Sequence, residues 1–351
     1  MWHFVLLIVC AGAIYLSCEW FVNAVEWLGR RLNVGQMAVG TILAAFGTAL
    51  PESVVTLVAV TTGVTPEAKN IGVGAAMGGP LALATVAYAA TGLALLAKRR
   101  QQRPVPVLAG VDVETGGTAG GEVLAGPADA ARLAKDQRWF LAVFAVKVAL
   151  GLVAFAFKPW LGLLFFATYA VYFWREMRGG DDGPQEEEGE LEPLKLQPRA
   201  ATPATWAVVA QTLAALGVIF FASRLFVQQL DVIGPMLGLP AAVTALLLSP
   251  IATELPETMN AIIWVRQGKT KLALANISGA MMIQATVPSG LGLLFTPWKF
   301  DAALIWAGAM TVVAIVYLLA TIRADKLTPA RLAWSGALYV VFAIGLIPIL
   351  T

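Results

Sequence analysis

Apolar runs long enough to cross a membrane recur along this chain, and short polar segments separate them. An α-helix needs about 20 apolar residues to cross the ~30 Å hydrocarbon core of a bilayer. Because lipid offers no hydrogen bonds to the backbone, each run is expected to be helical. The pattern predicts an all-α polytopic membrane protein with ten transmembrane helices, at about residues 4–28, 34–62, 70–97, 138–157, 160–176, 204–229, 236–266, 272–295, 301–322 and 330–350.

Composition supports a membrane protein and excludes several other classes. Only 13% of the 351 residues are charged, whereas soluble domains carry about 25%. The net charge of +2 does not indicate nucleic-acid binding, so the expected partners are the lipid bilayer and inorganic cations. His3 is the single histidine, and Cys10 and Cys18 lie about 12 Å apart along one predicted helix, which makes them packing residues rather than a disulfide. The chain has no HExxH or GxSxG motif, and no enzyme activity is expected.

Basic residues are distributed unequally between the two ends of the predicted helices. With ten spans, nineteen of the 24 Lys and Arg residues lie on one side, three lie on the other and two lie within spans. Cytoplasmic loops carry the excess of Lys and Arg. We therefore expect the polar stretches 98–137 and 177–203 to be cytoplasmic, flexible loops and both termini to be extracytoplasmic, in a plasma or bacterial inner membrane. An acidic run at 181–192 is either a solvated tether or a regulatory cation site.

The chain contains an internal repeat. Residues 32–53 align without gaps to residues 237–258, and the most similar part pairs T-A-L-P-E-S with T-E-L-P-E-T. Five spans precede the second five-span unit, which contains the second copy. An odd number of spans reverses the direction of the chain, so the two units have inverted topology. The organisation expected is a first five-helix repeat over 1–176, an acidic linker over 177–203 and a second, inverted five-helix repeat over 204–351. Inverted repeats around a site at the membrane midplane are typical of secondary transporters.

Each repeat places a proline and a glutamate in the middle of a span. Pro51 and Pro256 remove a backbone donor and free carbonyl groups, and Glu52 and Glu257 follow them directly. An ionisable group at the bilayer centre is costly, so its first interpretation is functional. Inversion brings the two midpoints together, and paired carboxylates either hold a cation or share a proton.

These segments resemble the α-repeats of the sodium/calcium exchanger family, within the cation/calcium antiporter superfamily. That family has ten spans in inverted halves of five, with a G-T-S-x-P-E motif followed by G-N-x-x-G-S-N on the next span. Residues 47–52 and 252–257 match the first motif, and residues 74–80 and 275–281 match the second. The resemblance implies transport of inorganic cations, with Na⁺, Ca²⁺ or H⁺ as the ions and no bound cofactor.

Departures from these motifs alter the expected ligand set. Ala49 and Glu254 replace the serine of the first motif, while Pro80 and Met281 stand where the family supplies a ligand oxygen. Ca²⁺ requires six to eight oxygens, so the family's cluster of sites is not expected to survive intact. The candidate ligands are Glu52, Glu257, Thr48, Thr253, Glu254, Asn276 and Gln284. For Asn276 and Gln284, helix-packing hydrogen bonds are the alternative interpretation.

Other intramembrane charges remain open to more than one interpretation. Glu19 and Arg224 are expected to form structural pairs, and Glu26 is expected to be solvated near a span end. Lys147 either snorkels to the surface or acts as an internal cation. The function favoured is a cation antiporter that works by alternating access. The alternatives are a cation/proton antiporter without Ca²⁺ selectivity and a non-transporting sensor or scaffold of the same fold.

Overall fold

The computed structural model describes residues 2–35, 38–62, 66–101, 124, 126–178, 191–238, 247 and 249–350, and every regular element in these ranges is a helix. The described residues form ten helical segments. They are α1 (Trp2–Leu32), α2 (Val39–Ala44 and Ala45–Thr62), α3 (Pro66–Ala82, Leu83–Ala87 and Tyr88–Gln101), α4 (Pro127–Leu152), α5 (Lys158–Leu161 and Gly162–Arg178), α6 (Thr205–Met236), α7 (Ser249–Thr253 and Leu255–Arg266), α8 (Thr270–Phe295), α9 (Ala302–Arg323) and α10 (Pro329–Leu350).

These segments correspond one for one to the ten predicted spans. Six described helices are long and apolar enough to cross a membrane on these criteria alone, in α1, α3, α6, α8, α9 and α10. The others are shorter, interrupted or more polar. The all-helical polytopic fold predicted from the apolar pattern is confirmed.

Three of the four helices that carry the repeated motifs are interrupted in the described structure, whereas α8 is continuous. In α2 a wide π-helical turn covers Val39–Ala44, and in α3 another covers Leu83–Ala87, shortly after Pro80. In α7 the helix breaks at Glu254, and Pro256 lies in the first turn of the segment that follows. Proline cannot donate the helical hydrogen bond, and π-turns are frequent at functional sites. The interruptions therefore expose backbone and side-chain oxygens inside the bundle.

The two repeats pack against each other reciprocally through glycines. A methyl group at Gly279 of α8 would lie 2.1 Å from the Thr41 carbonyl oxygen of α2, and one at Gly40 would lie 2.8 Å from the Ala275 Cβ. In the other direction, a methyl group at Gly78 of α3 would lie 2.6 Å from Pro250 of α7. The motif helices of each half thus meet the motif helices of the other half backbone to backbone.

Burial places α8 at the centre of the bundle. In its most apolar stretch 83% of the residues are buried, against 22% for α10 and 28% for α1. α8 packs against α2, α3, α4, α5 and α7, whereas α1 packs mainly along α6. The central helix is therefore insulated from lipid by the outer helices.

Part of the linker between the repeats is packed, which the sequence did not indicate. Over residues 191–204 the chain lies against α1 and α6, and Leu194 is fully buried. The Asn23 amide donates to the carbonyls of Glu192 and Pro193, and the Trp27 indole donates to Glu192 O at 2.9 Å. The prediction of a flexible loop is wrong for this part, and also for residues 127–137 of the stretch 98–137, which form the start of α4. The acidic positions 181–190 lie outside the described residues.

The environments of three intramembrane charged residues can be compared with those predicted from the sequence. Glu19 forms an ion pair with Lys195 at 3.4 Å, so structural pairing is confirmed there. The solvated interpretation of Glu26 is wrong, because this carboxylate is buried, pairs with Lys269 and accepts from the Trp264 indole at 2.8 Å. Arg224 is exposed and lies over the Phe220 ring, without an ion pair among the described residues. The pairing predicted for Arg224 is therefore not seen.

Candidate functional site

The break in α7 brings two carboxylates into the interior. Glu254 occupies the joint between Ser249–Thr253 and Leu255–Arg266, and Glu257 lies in the first turn of the second segment. Glu254 is 2% exposed and Glu257 is fully buried. The two carboxylates are close enough to interact electrostatically. Two buried negative charges on one turn of helix require compensation by a cation, a proton or a fixed positive group.

The neighbouring helix α8 contributes two amides. The Asn276 amide donates to the Glu257 carbonyl oxygen at 3.0 Å, and the Gln284 amide donates to Glu254 Oε1 at 2.7 Å. Both residues are buried. Gly79 of α3 packs against the Glu254–Gln284 pair, since a methyl group at Gly79 would lie within 2.6 Å of both Glu254 Oε1 and Gln284 Oε1. Asn276 and Gln284 thus position α7 as well as facing its carboxylates.

The first repeat reaches this cluster through α2. Thr48 is 1% exposed, and its hydroxyl neighbours the Glu257 carboxylate while donating to the Ala44 carbonyl at 3.1 Å. Position 52 follows Thr48 by four residues on the same helix, which places both positions on one face. The side chain of Glu52 lies outside the described part of the structure, so its approach to Glu257 stays a prediction.

Most oxygens of the cluster have no hydrogen-bond donor among the described residues. They are Glu254 Oε2, both Glu257 carboxylate oxygens, Asn276 Oδ1 and Asn260 Oδ1. Buried polar atoms are almost always hydrogen-bonded, so a group of five without donors is unusual. Carboxylate and amide oxygens are the ligands of hard cations. The arrangement therefore offers oxygens of the kind that a cation site uses.

Asn260 was not predicted from the sequence. It follows Glu257 by three residues on α7, is fully buried, and neither its Oδ1 nor its Nδ2 has a partner in the described part of the chain. The available signal was an amide within an apolar run, at a helical spacing from the glutamate. It adds a neutral oxygen one turn beyond Glu257.

The remaining predicted positions are less central. The Thr253 hydroxyl is half-buried and donates to the Pro250 carbonyl at 3.1 Å. Met281 is fully buried among apolar residues of the core. From α1, the Cys18 thiol donates to the Pro256 carbonyl oxygen at 3.7 Å. The outer helix α1 therefore covers the break in α7 directly.

Comparison with known proteins covers nearly the whole chain. The family model described as "Sodium/calcium exchanger protein" matches residues 2–177 and 207–348. The candidate antiporter CaxA of Alkalimonas amylolytica is 25% identical over 328 residues, which covers 92% of this chain and 91% of that protein. The inner membrane protein YrbG of Escherichia coli strain K12 is 27% identical over 305 residues, which covers 84% and 81% of the two chains.

Solved structures of the sodium-calcium exchanger NCX_Mj have the same fold. The form soaked with zero Na⁺ and Ca²⁺ matches with a TM-score of 0.67 at 18% identity, over 99% of this chain and 98% of that one. The form soaked with 2.5 mM Na⁺ and 1 mM Sr²⁺ matches with a TM-score of 0.70 at 17% identity, over 98% and 97%. At this identity the likeness concerns the fold alone.

Proposed function

Since the chain belongs to the sodium/calcium exchanger family, we propose that it is a secondary active cation antiporter whose cation binds at Glu257. Glu52 is the partner carboxylate from the first repeat, and Glu254, Asn260 and Asn276 complete the oxygen set. Relatives of similar length support this activity, because one of them is named as a candidate antiporter. The cation and the driving ion, Na⁺ or H⁺, are small inorganic ions that need no bound cofactor.

The observation that carries the proposal is the group of five buried oxygens without donors on α7 and α8. A buried carboxylate without a partner is strongly unfavourable, so a protein keeps such a cluster when a cation or proton occupies it during function. The cluster lies where the two inverted halves meet, with Thr48 of one half beside Glu257 of the other. Sites of alternating-access transporters lie at this kind of repeat interface.

Exchange of ions follows from the same arrangement. When a cation leaves, the carboxylates recover their neutrality by taking another cation or a proton, and the loaded cavity then opens to the other side as one half-bundle slides against the other. A tightly coupled exchange needs the two ions to compete for the same oxygens. Glu257 is the group for which they compete, since both its oxygens are free of donors among the described residues.

Transport of Ca²⁺ is expected to be weak. Pro80 and Met281 supply no side-chain oxygen, and Glu254 Oε1 is already engaged by the Gln284 amide. Ca²⁺ requires six to eight oxygens, and the two second-motif positions at which the family supplies a ligand oxygen supply none here. In proteoliposomes screened with Ca²⁺, Mn²⁺, Mg²⁺, K⁺ and Na⁺, with and without a pH gradient, we expect monovalent cation flux coupled to Na⁺ or H⁺.

Two outcomes of this screen would contradict the proposal. Saturable Na⁺-driven Ca²⁺ uptake at micromolar Ca²⁺ would show that other oxygens replace those missing at positions 80 and 281. Absence of flux for every ion, in protein that remains folded, would favour a non-transporting sensor or scaffold instead.

The proposed orientation places the stretch 98–137 in the cytoplasm and Lys299 outside. A cysteine introduced as Gly120→Cys is expected to react with an impermeant maleimide only after cells are permeabilised, whereas Lys299→Cys is expected to react in intact cells. The native Cys10 and Cys18 are buried and contribute little background. Labelling of position 120 in intact cells would reverse the orientation.

A further inference from the structure

A lysine is buried beside the helix of the first repeat that touches the carboxylate cluster. Lys147 of α4 is fully buried, and its ammonium donates to the Ala76 carbonyl oxygen of α3 at 2.7 Å. The Phe144 ring lies 4.8 Å from the ammonium nitrogen. An ammonium has three donors, and among the described residues this one makes a single hydrogen bond and no ion pair.

The acceptor is available because of Pro80. In an α-helix the N–H of residue 80 would donate to the carbonyl of residue 76, and proline has no N–H. Pro80 lies within α3, so the Ala76 carbonyl has lost its helical donor. The Lys147 ammonium replaces it, which makes a proline and a lysine from different helices a matched pair.

Another buried lysine shows what a purely structural ammonium looks like in this chain. Lys158 donates to three carbonyl oxygens, those of Leu150, Val153 and Trp298, at 2.7–3.2 Å. All three of its donors are therefore used at the end of α4. Lys147 is more deeply buried than Lys158 and has only one acceptor among the described residues, so hydrogen bonding alone does not account for its charge.

The Lys147 ammonium lies close to the carboxylate cluster. A helical carbonyl points towards the residue four positions later, so the Ala76 oxygen lies at the level of Gly79 and Pro80. Gly79 is the residue at which α3 contacts Glu254 Oε1 and Gln284 Oε1. The same turn of α3 thus contacts Lys147 through Ala76 and the carboxylate cluster through Gly79.

We propose that Lys147 is a resident counter-cation of the transport site, held by the Pro80-freed carbonyl of Ala76 so that its charge balances one carboxylate throughout the cycle. The inference rests on the proposed antiport function. Glu254 and Glu257 provide two buried negative charges in the described part of the site, and a tethered ammonium supplies one positive charge that never leaves. The site then takes one mobile positive charge fewer than the same carboxylates would require without Lys147.

The decisive variant is the double substitution Pro80→Ala, Lys147→Met. Alanine restores the N–H that satisfies Ala76, and methionine keeps much of the volume of lysine without its charge, so this variant is expected to fold. In proteoliposomes, the number of positive charges that the site carries in each direction per cycle is expected to rise by one, and the Hill coefficient of flux against cation concentration is expected to rise with it. In detergent, the cation concentration for half-maximal thermal stabilisation by Na⁺ or K⁺ is expected to fall at least about tenfold, because a nearby positive charge has been removed.

Controls separate this role from a structural one. Lys158→Met is expected to lower thermal stability without changing the Hill coefficient of flux or the apparent cation affinity. Lys147→Met alone leaves the Ala76 carbonyl unsatisfied and is expected to be less stable than the double variant. A folded double variant with a wild-type Hill coefficient and wild-type cation stabilisation would overturn the inference, as would indifference of both proteins to cations in the thermal assay.

The two proposals fail in different ways. If the wild-type protein moves no ion while cations still stabilise it, the antiport function is wrong, and the thermal comparison still decides the role of Lys147. If the wild-type protein transports and the double variant is unchanged, only the role of Lys147 is wrong.

Discussion

Replacement of Glu257 by glutamine is expected to abolish cation flux while leaving the protein folded. Glutamine keeps the shape of the side chain and removes its charge. Both oxygens of Glu257 lack donors in the described part of the structure and lie beside Thr48 of the other repeat. Losing one charged partner of a buried ion pair costs about 3–5 kcal/mol, so cation affinity and flux in proteoliposomes should fall by about 100-fold or more.

A matched control is available on α1. Glu19→Gln makes the same chemical change at a partly exposed carboxylate that pairs with Lys195, and it is expected to keep near-normal flux.

In the wild type, protons and cations compete for the Glu257 carboxylate, so lowering the pH should raise the cation concentration needed for half-maximal flux. Near-normal flux in Glu257→Gln, or in the Glu52→Gln, Glu257→Gln double variant, would refute the proposed site.

The substitution Gly279→Ala is expected to destabilise the contact between the two repeats more than any other methyl addition discussed here. The new Cβ would lie 2.1 Å from the Thr41 carbonyl oxygen and 2.6 Å from its carbonyl carbon and Cα. These are backbone atoms of α2, so no rotamer change relieves the overlap and the helices must separate. Overpacking of a well-packed interior costs about 1–3 kcal/mol, and a lower thermal unfolding midpoint in detergent should accompany reduced flux.

The control for this substitution is Gly217→Ala on α6, where a methyl group would meet nothing within 4 Å. Alanine is favoured over glycine inside a helix by about 1 kcal/mol, so this variant should be as stable as the wild type or slightly more so. If Gly279→Ala unfolds at the same temperature as Gly217→Ala, the close approach of α2 and α8 is not a constraint in the protein.

The span pattern was predictable because membrane-spanning segments obey one strong physical rule. In lipid the backbone must form its own hydrogen bonds, which requires helices, and the length of each apolar run in the sequence shows where a helix crosses the membrane. All ten segments were therefore located from the sequence. The two Pro-Glu positions were identifiable for a related reason, since charges rarely occur in mid-span without a function. The fold and the location of the motifs thus follow from local sequence.

Pairings across the bundle were not predictable in the same way. The Gln284 amide meets Glu254 because Gly79 lets α3 approach both, and such an approach depends on the packing of three helices. Asn260 was missed because a single neutral amide in an apolar run usually forms a hydrogen bond between packed helices. Glu26 was misjudged because its distance from the span end did not reveal that Lys269 and Trp264 enclose it.

The break in α7 also has a consequence for biosynthesis. Its second helical piece, Leu255–Arg266, has 12 residues, whereas a segment needs about 20 apolar residues to partition into the bilayer alone. Glu254 and Glu257 add to the cost of insertion, since a charged residue near the helix centre costs the translocon about 2.5–3.5 kcal/mol. During translation α7 therefore depends on neighbouring helices for its entry into the membrane, with α9 and α10, of mean hydropathy 2.3 and 2.0, as the strongly inserting segments that follow. The second repeat is consequently delivered to the membrane as a cooperative unit, because the residues proposed to bind the ion are those least able to enter lipid alone.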